Sequence, residues 1–312
     1  MTVFPRREAI VRYLYRDLRR DHLKSAAVVV LAAAAMLALF LPGAAAAGTR
    51  TSAGGPSESA LIHRLRRCLA PGQAKPTVVL VHGAWADASS WHGEVTTLQA
   101  AGYDARAIAN PLQSLTTDSE YVADYLRALH GPVVLVGHSY GGAVITNAAA
   151  GLANVKALVY VDAAAPAPGQ TNGQLSGAGS VLNRMKPSQL FFTTKYPGAP
   201  SGASELYLRE NIFIKYFASD LPLSQARSLW ASQRGASTAA FTTPSMHAAW
   251  KTIPSWYFIS TGDQIITAAS ELQMAHHAHS HITMFHGGSH LTLISHPNAV
   301  TAVIASAICS VH

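Results

Sequence analysis

Along the 312-residue chain, short and nearly continuous apolar runs alternate with longer segments of helical period. Thr77 to Val81, Tyr103 to Ile108, Val133 to Val136, Val155 to Val161, Pro254 to Ser260 and His281 to Phe285 read as strands. They are too short for helices and carry many β-branched and aromatic residues. Between them, Ser90 to Ala101 places Trp91, Val95 and Leu98 at helical spacing. Ser119 to Leu129 puts Tyr121, Val122, Tyr125 and Leu126 on one side. Tyr140 to Ala150 and Asn298 to Ile308 read as further helices, and Ala60 to Leu69 as a short one ahead of the first strand. Buried strands alternating with helices predict an α/β fold, its mostly parallel sheet covered by helices on both faces.

The alternation pauses between about Ala164 and Lys251. That stretch has Pro- and Gly-rich turns and helical pieces such as Ser224 to Ser232. It is too long for an ordinary loop and reads as an inserted cap over residues 164–251. Its aromatics, Phe191, Phe192, Tyr196, Tyr207, Phe213, Phe217 and Trp230, are candidates for an apolar pocket lining, or for the cap's own core.

The net charge of +7 changes the picture less than its size suggests. Seven basic and three acidic residues among the first 24 account for +4 of it. The remainder has no Lys/Arg stripe and no nucleic-acid motif, so a nucleic-acid partner is not expected. The basic residues Arg6, Arg7, Arg12, Arg16, Arg19, Arg20 and Lys24 precede an uncharged run from Ser25 to Leu41. Pro42-Gly43 and the small residues Ala44 to Ala47 follow. This order is that of an export signal, and Arg19-Arg20-Asp21-His22-Leu23-Lys24 resembles a twin-arginine signal, with His22 where an apolar residue is usual. Residues 1–47 are therefore expected to be a signal peptide or, uncleaved, an N-terminal transmembrane anchor. The 17-residue run rises about 26 Å, which is marginal for a bilayer. Export to the periplasm or exterior is expected either way. Residues 48–75 read as linker and lead-in, and 76–312 as the folded domain. Cys68 and Cys309 stand near the two ends of the exported portion; a bridge and two unpaired buried thiols both remain open.

The chemistry begins with Gly137-His138-Ser139-Tyr140-Gly141, a G-x-S-x-G pattern placed directly after a strand and opening an Ala-rich helix. That setting is the one a nucleophile elbow requires, with Ser139 projecting from a cramped turn. A serine hydroxyl needs a base to take its proton. Of 15 histidines, His290 follows the last strand across Gly287-Gly288-Ser289, which places it at the strand's C-terminal end. His286 and His296 are its rivals. Asp263, in Thr261-Gly262-Asp263 after the preceding strand, is the candidate acid to orient the imidazole, and Asp162 is its competitor. His82-Gly83-Ala84-Trp85 follows the first strand, so the backbone N–H groups of Ala84 and Tyr140 are the candidate oxyanion hole. His82 and His138 read as structural. His276, His277, His279 and His281 read as a solvated helix end, not a metal site. No metal or organic cofactor is expected.

From about Pro76 to Val311 the chain resembles the α/β-hydrolase superfamily, and within it a bacterial branch similar to the plant methylesterase and hydroxynitrile lyase group. The carriers are Val79-Leu80-Val81-His82-Gly83-Ala84-Trp85, Gly137 to Gly142, Thr261-Gly262-Asp263 and Gly288-Ser289-His290. The resemblance implies the fold, a Ser139–Asp263–His290 triad and a cap over the pocket, but no particular substrate. A carboxylesterase on small to medium hydrophobic esters is the leading expectation, with a small-molecule ester as partner. Alternatives are a lactonase, a hydroxynitrile-lyase-like enzyme and a non-catalytic ligand-binding protein. The related lyases place a lysine beside the acid loop, where this chain has Gln264-Ile265-Ile266.

Overall fold

The structure, a computed structural model, describes residues 55–311. Six strands form one parallel sheet: β1 (Thr77–Val81), β2 (Ala105–Ile108), β3 (Val133–His138), β4 (Val155–Val161), β8 (Ser255–Ser260) and β9 (His281–Phe285). Their order is β2-β1-β3-β4-β8-β9. Between β4 and β8, three short strands, β5 (Phe191–Thr194), β6 (Glu205–Leu208) and β7 (Ala236–Ser237), pair antiparallel in a separate sheet. The main sheet is the mostly parallel one the apolar runs predict.

Every residue of β3 is buried, and β1, β4 and β8 nearly match it. Strands covered on both faces cannot alternate polar and apolar residues, which is why they stand out as unbroken runs. Edge strand β9 has His281, Thr283 and Met284 exposed, so its pattern is weaker. Among the described residues the main helices are α1 (Glu58–Arg67), α2 (His92–Ala100), α3 (Leu115–Arg127), α4 (Tyr140–Ala148), α5 (Leu223–Ala231), α6 (Ala268–His277) and α7 (Pro297–Ile308), of which α5 lies in the stretch between β4 and β8. α1, α2 and α7 pack on one another, with α7 against β3, β4 and β8. α3 and α4 pack together, with α4 against β1, β3 and β4.

Local chemistry sets the helix starts. Helix α3 begins four residues earlier than its apolar spacing suggests, because Ser114 caps it by accepting from the Thr117 N–H at 3.2 Å. Helix α2 begins after a 3₁₀ turn, Ala88–Trp91, which Asp87 caps through the Ser89 N–H at 2.7 Å. Helix α1 has Glu58 in its first turn and Arg64, Arg66 and Arg67 in its last, matching the helix dipole. Cys68, after α1, and Cys309, after α7, form a disulfide with a Cα–Cα distance of 5.1 Å. The bridge closes α1 onto the C-terminal helix.

One expectation is corrected. Among the described residues no helix is long and apolar enough to cross a membrane, so the transmembrane helix is not carried forward. The leader expected over residues 1–47 and the first part of the linker lie outside the described residues.

Candidate active site

Ser139 occupies the turn between β3 and α4 with φ +54° and ψ −124°. A non-glycine residue in this conformation costs roughly 1–3 kcal/mol and persists only where its surroundings hold it. Here the Ser139 carbonyl accepts from the N–H groups of Gly142 (3.0 Å) and Ala164 (3.1 Å). Gly137 is required at the same turn, since a Cβ there would sit 2.6 Å from the Gly141 carbonyl oxygen. The strained turn thus aims the hydroxyl away from the sheet while keeping the residue almost wholly buried.

The structure brings Ser139, His290 and Asp263 together from three separate sheet-to-helix loops. His290 Nε2 lies 2.7 Å from Ser139 Oγ, and His290 Nδ1 lies 2.6 Å from Asp263 Oδ2. The other Asp263 oxygen accepts from the N–H groups of Ile265 (2.7 Å) and Ile266 (3.2 Å). Burial pushes the His290 imidazole down, to about 3, and pushes the Asp263 carboxyl well above its ordinary value, with the two amides pulling it back. With the imidazole neutral and Nδ1–H donating to Asp263 Oδ2, Nε2 is left free to accept another proton. That is the state a general base needs.

The His82–Trp85 loop closes over the nucleophile. A Cβ on Gly83 would lie 2.5 Å from the Ser139 Cβ, so only glycine lets this loop approach so near. The peptide N–H groups of Ala84 and Tyr140 flank that contact. Among the described residues neither donates to a backbone or side-chain acceptor outside regular elements. Two N–H groups beside a serine can receive a developing oxyanion. The Tyr140 side chain is fixed from below, its hydroxyl donating to Asp118 Oδ2 at 2.8 Å. Asp118 also accepts from the Gln113 N–H at 3.1 Å.

The rival residues have other partners. Asp162 accepts from the Ser260 N–H at 2.7 Å, with the Ser260 hydroxyl 2.9 Å from its second oxygen. His286 is exposed. His296 Nδ1 lies 2.9 Å from the Ser295 hydroxyl. His138 spans the site from beneath: Nε2 lies 2.8 Å from the His290 carbonyl oxygen, and burial keeps the ring neutral, so Nε2–H donates. His276, His277, His279 and His281 are exposed around the end of α6 and the start of β9.

The residues between β4 and β8 supply the outer wall. Trp85, next to Ala84, donates from Nε1 to the Leu206 carbonyl of β6 at 3.0 Å. Its ring stacks on Phe191 (5.6 Å) and Phe241 (5.4 Å) and meets Phe217 edge-on at 5.9 Å. The Phe217 ring is 5.0 Å from that of His290. Of the other aromatics singled out from sequence, Phe213 is buried and Phe192 is exposed. Tyr207 binds Glu205 at 2.9 Å, and Trp230 donates to the Leu208 carbonyl at 3.0 Å.

Sequence reasoning missed Glu271, which stands behind the triad. Oxygens of Asp162, Asp263 and Glu271 lie within 4.8 Å of one another, all buried. Asp162 and Asp263 have the partners given above, whereas neither Glu271 oxygen has a hydrogen-bond partner among the described residues. Burial, reinforced by Asp162 and Asp263, pushes the Glu271 carboxyl well up, so it holds its proton. Only the period of α6 locates Glu271 on an inward face; nothing in the sequence places it behind Asp263.

Residues 78–303 match the model of the alpha/beta hydrolase family, and the chain belongs to that family. The alpha/beta hydrolase nvfD of Aspergillus novofumigatus is 26% identical over 267 residues, covering 75% of this chain and 96% of that protein. Among solved structures, a pyrethroid hydrolase from Sphingobium faniae JZ-2 is similar at TM-score 0.59 and 24% identity, covering 75% of this chain and 98% of its own. The methylesterase MES16 from Arabidopsis is similar at TM-score 0.61 and 20% identity, over 75% and 98%.

Proposed function

We propose that this chain is an exported serine esterase acting on small to medium hydrophobic esters. The carrying observation is the unbroken line from Ser139 Oγ through His290 to Asp263, at 2.7 and 2.6 Å. In this reading Ser139 attacks the ester carbonyl as its proton passes to His290 Nε2. Asp263 stabilises the imidazolium, and the N–H groups of Ala84 and Tyr140 receive the negative oxygen. Collapse of the tetrahedral species expels the alcohol, which takes the proton from Nε2. Water, deprotonated by the same nitrogen, then releases the acid from the acyl-enzyme.

The apolar substrate preference rests on the aromatic wall of Trp85, Phe191, Phe217 and Phe241. Export rests on the basic, apolar and small-residue order of residues 1–47, and the Cys68–Cys309 bridge suits an oxidising compartment. A fluorophosphonate probe tests the chemistry: the folded protein is expected to label on Ser139 and Ser139→Ala not at all. A folded protein that resists labelling and turns over no ester in a short- to long-chain panel refutes the reading. Fractionating a producing cell tests export, with mature protein in the cytosol as the contrary result.

A further inference from the structure

Asp220 lies in the turn after Phe213–Phe217, 69 residues from its principal partner. Its Oδ2 accepts from the Ser289 N–H at 3.0 Å and from the Ser295 hydroxyl at 2.6 Å. These two donors bracket His290 on the loop that carries it. Asp220 Oδ1 is buried and has no hydrogen-bond partner among the described residues, and His296 Nδ1 stands 3.9 Å from Oδ2. Three residues before Asp220, the ring of Phe217 packs on the His290 ring. One short segment therefore holds the base in two ways, with a ring against its imidazole and a carboxylate on the backbone of the preceding residue.

We infer that Asp220 is a positioning residue for the base, holding the Ser289–Ser295 loop from the cap so that His290 Nε2 stays within reach of Ser139. The inference rests on the serine esterase reading above. A carboxylate half-desolvated with one oxygen unpaired is costly, and a surface turn needs none. Its oxygen instead fixes the Gly288–Ser289 peptide, one residue ahead of His290. The opposite side of that backbone is held by His138, whose Nε2–H donates to the His290 carbonyl. With either tether gone the loop keeps its sequence but loses its fixed register against the nucleophile. Misplacing a reacting group by about 1 Å costs on the order of 100-fold in rate.

The test compares Asp220→Ala, Asp220→Asn and Asp220→Glu with the wild-type full chain, using 4-nitrophenyl acetate turnover and the rate of fluorophosphonate labelling at Ser139. Asp220→Ala is expected to lose roughly 10- to 100-fold in kcat and in labelling rate, with KM changed far less. Asp220→Asn, which keeps an acceptor oxygen without charge, is expected to restore most of both. Asp220→Glu, one methylene longer, is expected to be impaired although its charge is kept. If Asp220→Ala does not fold, the Asn and Glu variants decide the matter. Folded Asp220→Asn as impaired as Asp220→Glu, or Asp220→Glu equal to wild type, overturns the inference; so does folded Asp220→Ala with unchanged kcat. Wild type that never labels instead removes the serine esterase reading on which the inference stands.

Discussion

His82 donates from Nδ1 to the carbonyl oxygen of Gly83 at 2.9 Å. The tautomer is fixed, because the Asn110 N–H donates to His82 Nε2 at 3.0 Å, leaving Nδ1 as the protonated nitrogen. The Gly83 carbonyl and the Ala84 N–H belong to one planar peptide unit. A bond that fixes the first therefore sets the direction of the second. The Asn110 side chain closes the arrangement by donating to the His82 carbonyl at 3.0 Å, and burial pushes His82 down to about 4, so the ring stays neutral.

It follows that His82→Ala frees the Gly83–Ala84 peptide without touching the triad. Kcat for a simple ester is expected to fall by up to about 100-fold, approaching the loss of one oxyanion donor, roughly 3 kcal/mol. KM and the fold are expected to change little. Steady-state kinetics with circular dichroism on the same sample provide the check. A folded variant with wild-type kcat removes this residue from the machinery.

The two candidate acids are separated by their partners. Asp263 faces His290 Nδ1, whereas Asp162 is occupied by Ser260. Asp263→Asn presents an amide where a carboxylate must hold the tautomer, and kcat is expected to fall about 10⁴-fold. Asp162→Asn keeps an acceptor for the Ser260 N–H and is expected to cost less than 10-fold, as a change that does not touch the reacting atoms. Equal losses in the two variants, both folded, would contradict the assignment.

The chemistry of these loops was legible because each follows a buried strand. Val133 to Val136 leads straight into Gly137-His138-Ser139, and the strand ending at Phe285 leads into Gly287-Gly288-Ser289-His290, so local pattern locates Ser139 and His290. Asp263 is favoured over Asp162 because it follows the strand that precedes the one leading to His290, whereas the pairing of Asp162 with Ser260 is visible only in the fold. The antiparallel β5–β7 sheet was invisible: its strands have two to four residues and are mostly half-exposed, so no alternation develops. Asp220 and Asp118 act through partners brought close by the tertiary fold, and Glu271 meets Asp162 and Asp263 only there, so no spacing along the chain encodes these neighbours. The start of α3 was hidden because Thr116 and Thr117 dilute its first turn, although Ser114 is a good capping residue.

Glu94, on α2, is buried, and neither of its side-chain oxygens has a hydrogen-bond partner among the described residues. Burial pushes its carboxyl well above the ordinary value. Between the unfolded and folded pKa values the folded chain holds a proton that the unfolded chain has released. Stability from this group is therefore lost as pH rises, by about 1.4 kcal/mol per unit until the folded pKa is passed. Glu94→Gln removes the titration while keeping the shape. The variant is expected to gain on wild type in urea-unfolding stability as pH rises above the ordinary glutamate range. A difference that stays constant over that rise means Glu94 does not titrate between the two states.

The Cys68–Cys309 bridge closes a loop of 241 residues and joins the ends of the folded domain. Two hydrogen bonds run alongside it, from Arg64 to the Ser306 hydroxyl at 3.0 Å and from the Gln73 side chain to the Val311 carbonyl at 2.7 Å. Removing the covalent link enlarges the unfolded ensemble while leaving these contacts to hold α1 against α7. Cys309→Ser, paired with Cys68→Ser to avoid a stray thiol, is expected to cost on the order of 2–5 kcal/mol. That corresponds to a fall in Tm of roughly 4–20 °C for a domain of this size. Esterase activity at 25 °C is expected to hold, because no loop of the triad touches either cysteine. Calorimetry of the oxidised protein, the reduced protein and the double variant checks this, with peptide mapping for the bridge. Three identical transitions, with the bridge confirmed in the oxidised sample, would mean that the ends are held by packing alone.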